Sequence, residues 1–127
     1  DVERSRGLGD VYKRQDGLDE ISPYAKTNVM QLKDNEITEI TIDPKKLKIN
    51  ADKFENLVGQ DAKFNADKML SIFKGDDNDF SKAVCLNAAA GLIVSEKYEN
   101  YEQAYNYARD FIKSGAPYKH LIKIQNA

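Results

Sequence analysis

Cysteine and histidine each occur once in this chain, as Cys85 and His120, and that scarcity excludes several chemistries at the outset. One cysteine cannot close a disulfide framework within the chain, and a reducing cytoplasm is the natural expectation. A cysteine nucleophile needs a base, and nothing local pairs Cys85 with His120. Set in an alanine-rich apolar run, Cys85 reads as a buried inert thiol. Long apolar runs are lacking too. None approaches the roughly 20 residues of a membrane-spanning helix, and the N-terminus has no apolar signal core, so no membrane partner is expected. There is no basic block: net charge is −2, the pI is near 5.4, and the lysines are spread among acids. No electrostatic footprint for duplex nucleic acid results. Tyr101, Tyr105 and Tyr107 lie among acids on a predicted helix and make no stacking platform for single strands. Internal repeats and low-complexity tracts are absent.

What remains is an ordinary globular composition, 41% hydrophobic and 31% charged over 127 residues, with room for one modest domain. Its opening looks foreign. Ser5–Gln15 reads SRGLGDVYKRQ, the translation of a sequencing-library adapter with its transposase recognition end, and eleven consecutive residues is a specific match. Residues 1–15 are therefore expected to be non-native, with the native segment running over 16–127. A basic arm drawn from Arg4, Arg6, Lys13 and Arg14, or a phosphate loop at Gly7-Leu8-Gly9, would be an artefact of that segment.

From Asp16 onward the pattern predicts a β-hairpin followed by a cluster of four to five helices. Thr27–Lys33 and Ile37–Asp43 are rich in Val, Ile and Thr and flank the polar connection Asp34-Asn35-Glu36. Period-two alternation puts Thr38, Ile40 and Ile42 on one face, with Ile40 and Ile42 toward the core. Such a hairpin is incomplete alone and needs something to pack on. Asp43-Pro44 marks a short turn or helix through Leu47. Asp61 is placed to cap a helix ending at Gly75, with Ala62, Ala66, Met69, Leu70 and Phe73 as its core stripe. Asp79 is placed to cap the next, Phe80–Ser95, apolar on all sides and so expected to be central and buried. Within it, Asn87 reads as a satisfied buried amide, with ligand contact as the alternative. Asn100 precedes Tyr101–Ser114, whose Ala104, Tyr107, Ala108, Phe111 and Ile112 share a side. After Gly115, Pro117 opens a last short helix with Leu121, Ile122 and Ile124.

One segment carries candidate chemistry. Asp16-Gly17-Leu18-Asp19-Glu20 sets three carboxylates within five residues around a glycine. Magnesium takes oxygen ligands, keeps several waters, and is held by one or two carboxylates together with substrate phosphates. Acid pairs are also common on solvated surfaces, and spacing alone leaves both readings open.

The run DGLDEISPYAKTNV resembles the HGxDGxDE-S motif of the anthranilate phosphoribosyltransferase family and the strand that leaves it. LVGQDAKFNADKML, SKAVCLNAAAGLIV and NYARDFIKSGAPYKHLIKI resemble, in order, that family's glycine-aspartate segment with its Asn-Ala helix, its Asn-Ala-Ala core helix and its terminal helices. The resemblance spans 16–127. It implies an α/β fold: the incomplete C-terminal part of a nucleoside phosphorylase/phosphoribosyltransferase-type catalytic domain. It also implies transfer of 5-phosphoribose from phosphoribosyl pyrophosphate to anthranilate in tryptophan biosynthesis, with Asp19 and Glu20 as ligands of a magnesium ion. Two departures qualify it. The family's His-Gly would fall at Lys13 and Arg14, where the adapter-like run stands. The glycine-rich pyrophosphate loop and the N-terminal helical domain used for homodimerisation are also absent, so the chain alone is expected to be inactive. The alternatives are a non-catalytic relative of the same fold that binds nucleic acid and a related nucleoside phosphorylase. The acidic balance and the Asp19-Glu20 pair weigh against the first, the hairpin and terminal helices against the second.

Overall fold

A computed structural model describes the backbone of Val11–Arg14 and all of residues 18–127. Its contacts divide the chain into two compact units, Asp1–Asn50 and Ala51–Ala127.

The first unit is an antiparallel sheet of β1 (Val11–Arg14), β2 (Thr27–Lys33) and β3 (Glu36–Ile42), in that order. The predicted hairpin is β2 and β3. Its loop is Asp34-Asn35 alone, with φ of 50° and 62°. Left-handed backbone at both positions gives the mirror-image turn whose twist suits paired strands, and Asp and Asn tolerate it. Glu36 therefore pairs with Lys33 instead of sitting in the connection. The register joins Thr27 to Ile42 and Val29 to Ile40. Thr27, Val29 and Ile42 are buried, whereas Ile40 is 38% exposed, so the expected core face is realised at Ile42 only. Cover is confined to the end of the hairpin away from its turn, and Leu32 and Ile37 beside the turn are open. The third strand, β1, falls within the adapter-like run and pairs with Thr27–Met30. Such pairing uses main-chain groups that every sequence carries, so it does not report where the segment came from. After β3 the chain turns without forming a helix: the Asp43 carboxylate accepts from Lys45 N at 3.0 Å, and Lys48 has φ of 57°.

The second unit is helical. A 3₁₀ turn at Phe54–Leu57, which the pattern missed, precedes α1 (Ala62–Phe73), α2 (Asp79–Val94), α3 (Tyr101–Lys113) and α4 (Ala116–Gln125). Asp61 caps α1 through Phe64 N at 2.7 Å, and Asn100 caps α3 through Gln103 N at 3.0 Å, as their residue types predict. The cap of α2 is Asn78 rather than Asp79: its side chain accepts from Ser81 N, and Ser81 Oγ accepts from Asn78 N. This reciprocal box takes one residue more than the sequence reading gave.

The core lies between α2 and α3. Cys85, Leu86 and Ala89 meet a face of Ala104, Tyr105, Ala108 and Ile112, whose alanines let the helices approach closely. Burying Leu86 completely contributes about 1.5–3 kcal/mol. Several expected core positions lie outside it. On α1 the buried residue is Ile72, while Ala62, Ala66 and Met69 are exposed. On α2, Val84, Ala88 and Gly91 face solvent, because α3 covers one side of a helix apolar all round. On α3, Tyr105 takes the core place predicted for Tyr107 and Phe111. Those two rings are 46% exposed and pack on each other at a centroid separation of 6.2 Å, with Tyr98 against Tyr107 at 5.3 Å. No residue of α4 is buried, Ile122 and Ile124 included.

Candidate functional site

The two carboxylates singled out by the sequence, Asp19 and Glu20, sit together on a bend and are exposed. The third acid of that run, Asp16, lies outside the described residues. Immediately downstream exposure collapses: Ile21 is 4% exposed, Ser22 is 0%, and Pro23 is buried. Ser22 holds this turn. Its Oγ accepts from Tyr24 N at 3.1 Å and Ala25 N at 3.2 Å, and its own N–H donates to Thr27 Oγ1 at 3.4 Å. A serine folding back onto the second and third residues beyond it makes a local turn in place of regular structure. Two consecutive exposed acids thus immediately precede a fixed, buried step in the chain. That donor set fits magnesium, which needs hard oxygen ligands and leaves positions for water and phosphate. Among the described residues no group of three or more His, Cys, Asp or Glu side chains is placed to hold a metal ion by itself.

Several polar groups elsewhere hold the fold together. Asp79 is buried at the start of α2, where Oδ2 accepts from Asp52 N at 3.1 Å and Asn56 Nδ2 at 2.8 Å, and Oδ1 accepts from Lys82 Nζ at 2.9 Å. Asp77 is bonded by Arg109 at 2.8 Å and Lys113 at 3.1 Å. The Arg109 hydrogen bond chiefly holds its carboxyl below the usual range. Cys85 is 1% exposed, and burial pushes its thiol up to about 11, which removes the thiolate a nucleophile would need. His120 is exposed on α4. Asn87 is half-buried rather than buried, and its Nδ2 donates to the Ala83 carbonyl at 2.9 Å, so the amide is bonded as expected but not enclosed. Burial raises the Tyr101 hydroxyl, which donates to the Leu86 carbonyl. No sequence signal announced that bond or the Asp52 and Asn56 bonds to Asp79, which join residues 15 to 27 positions apart. No described helix is long and apolar enough to cross a membrane.

An α/β chain with the adjacent acids Asp19 and Glu20 a few residues ahead of a strand has a counterpart among known families. The family described as "Glycosyl transferase family, a/b domain" matches residues 1–118, and the chain belongs to it. Within that class it is 69% identical over 116 residues to the anthranilate phosphoribosyltransferase of Pelagibacter ubique, covering 91% of this chain and 35% of that protein. It is 38% identical over 113 residues to the enzyme of the same name from Priestia megaterium, covering 88% of this chain and 33% of that protein. The chain thus spans about a third of the length of these relatives. The solved anthranilate phosphoribosyltransferase of Thermus thermophilus shares its fold, with a TM-score of 0.79 at 23% identity over 91% of this chain and 34% of that one. The Saccharomyces cerevisiae enzyme in complex with 4-fluoroanthranilate gives 0.73 at 21% identity, over 85% and 32%.

Proposed function

We propose that this chain is the C-terminal part of an anthranilate phosphoribosyltransferase. The intact protein would join the sugar of phosphoribosyl pyrophosphate to the amino nitrogen of anthranilate, with Asp19 and Glu20 as magnesium ligands. The observation that carries the reading is 69% identity over 91% of the chain to a protein of that name. In the reaction the bond from sugar carbon 1 to pyrophosphate oxygen breaks and the bond to nitrogen forms. Pyrophosphate leaves with the electron pair, and the amine loses a proton. Bound magnesium supplies neutralisation of the charge gathering on the departing pyrophosphate. Asp19 and Glu20 then act as ligands and not as an acid and base, and both stand exposed beside the Ser22 turn. The 127-residue chain is expected to be inactive by itself, because it spans a third of its relatives' length. The cytoplasm is the expected compartment, in keeping with a lone buried cysteine.

The test is Asp19→Asn and Glu20→Gln in the full-length protein, assayed for phosphoribosyl transfer over a range of magnesium concentrations. Turnover should fall and its magnesium requirement should rise. An unchanged magnesium dependence in both variants refutes the ligand assignment. Genomic sequence upstream of Asp16 tests the non-native reading of residues 1–15. A native SRGLGDVYKRQ there would end it.

A further inference from the structure

We infer that Ser22 and Thr27 are positioning residues for Asp19 and Glu20, a buried hydroxyl pair that ties the carboxylate-bearing bend to the head of the β2–β3 ladder. The inference rests on the magnesium reading above. Both side chains are fully buried, where a hydroxyl is costly unless it is bonded. Both accept from the backbone of this one turn: Ser22 Oγ receives two N–H groups, and Thr27 Oγ1 receives the N–H of Ser22. Thr27 is in turn the first residue of β2, paired with the buried Ile42. A continuous set of bonds therefore runs from the ladder to the residue two positions beyond Glu20. Alanine and valine would fill the same volume without fixing the direction in which the chain leaves the acids. Magnesium demands near-octahedral geometry, so a small error in carboxylate direction costs affinity. Groups that orient metal ligands typically contribute about 10–100-fold in affinity.

The test uses the isotopically labelled chain with Mn²⁺ as a paramagnetic probe, reading line broadening at the amides of Leu18–Ile21. The wild-type chain should broaden there locally. Ser22→Ala and Thr27→Val should each weaken the apparent affinity by about tenfold or more while the β2–β3 amide shifts persist, and Ser22→Thr should recover most of the loss. Unchanged affinity in Ser22→Ala with an intact hairpin overturns the positioning role, and loss in Asp19→Asn alongside it leaves the ligand reading standing. If both hydroxyl variants lose the hairpin shifts, the pair is a folding element only and the inference fails. If Asp19→Asn and Glu20→Gln leave the broadening unchanged, or the wild-type chain shows none, the ligand reading falls and this inference with it.

Discussion

Replacing Asp79 with alanine probes the helical unit at its most heavily bonded point. The carboxylate is 5% exposed and accepts three hydrogen bonds, from Asp52 N, Asn56 Nδ2 and Lys82 Nζ, at 3.1, 2.8 and 2.9 Å. A hydrogen bond to a charged group contributes roughly 1.5–3 kcal/mol, and removing one partner of a buried ion pair costs about 3–5 kcal/mol. Lys82 is 23% exposed and recovers part of its hydration, so the bonds do not simply add. The expected loss is about 3–4 kcal/mol, a large fraction of a typical stability of about 5–15 kcal/mol. In urea denaturation followed by far-ultraviolet circular dichroism, this should lower the midpoint by about 1–3 M with the slope unchanged. Asp79→Asn keeps one acceptor but turns an amide toward donors, and should lose about 1–2 kcal/mol. Lys82→Met should lose less than Asp79→Ala, because the other two bonds remain. A loss under about 0.5 kcal/mol in Asp79→Ala is the range of an ordinary surface substitution and refutes the argument.

Two glycines should respond in opposite directions. Gly75 has φ of 109° and a Cβ there would stand 3.2 Å from the Lys113 carbonyl oxygen, so Gly75→Ala should destabilise by about 1–3 kcal/mol. Gly91 is helical with nothing within 4 Å of an added Cβ, and Gly91→Ala should stabilise by about 0.5–1 kcal/mol; thermal melts of both variants decide it. Cys85, with its thiol at about 11 against an ordinary 9.0, should react with a thiol reagent near neutral pH at least ~100-fold more slowly in the folded chain than in urea. Equal rates would show the thiol to be accessible. Burial raises Tyr105 to about 12 and Tyr101 in the same direction from an ordinary 10.0, so each neutral phenol stabilises the fold fully below pH 10. That contribution is lost as pH rises from 10 through about 12, and Tyr105→Phe should flatten the upper part of the denaturation profile.

The hairpin and four helices were legible because their signals are local. Asp61 and Asn100 cap within three residues, Gly75 and Gly115 end helices through left-handed backbone, and alternation set the β2–β3 pairing. Which apolar residues enter the core was less legible, because periodicity gives a face without saying what covers it. Tyr105 and Tyr107 both lie near an apolar stripe of α3, and only packing against α2 distinguishes them. Asp79 read as a cap because acids favour that position. Lys82 lies one helical turn on, at the i+3 spacing that pairs charges on a helix, but Asp52 and Asn56 come from a segment that no spacing rule ties to Asp79. At the candidate site the acids were visible as Asp19-Glu20, while the buried Ser22–Thr27 link was not. Ser and Thr at that separation are common in loops, and only burial reveals the bond.

The two-residue Asp34-Asn35 turn also has a kinetic consequence. It brings Lys33 against Glu36 with almost no chain to close, and each later pair adds beside one already formed, out to Thr27 and Ile42. Hairpins of this kind form in about 1–10 μs. The Asp52–Asp79 bond instead closes a span of 27 residues, whose larger loop entropy must be met before the contact returns anything. Register in the hairpin is therefore set by local closure, and Thr27 receives the Ser22 amide across a span of five residues, without recourse to any link of the helical unit.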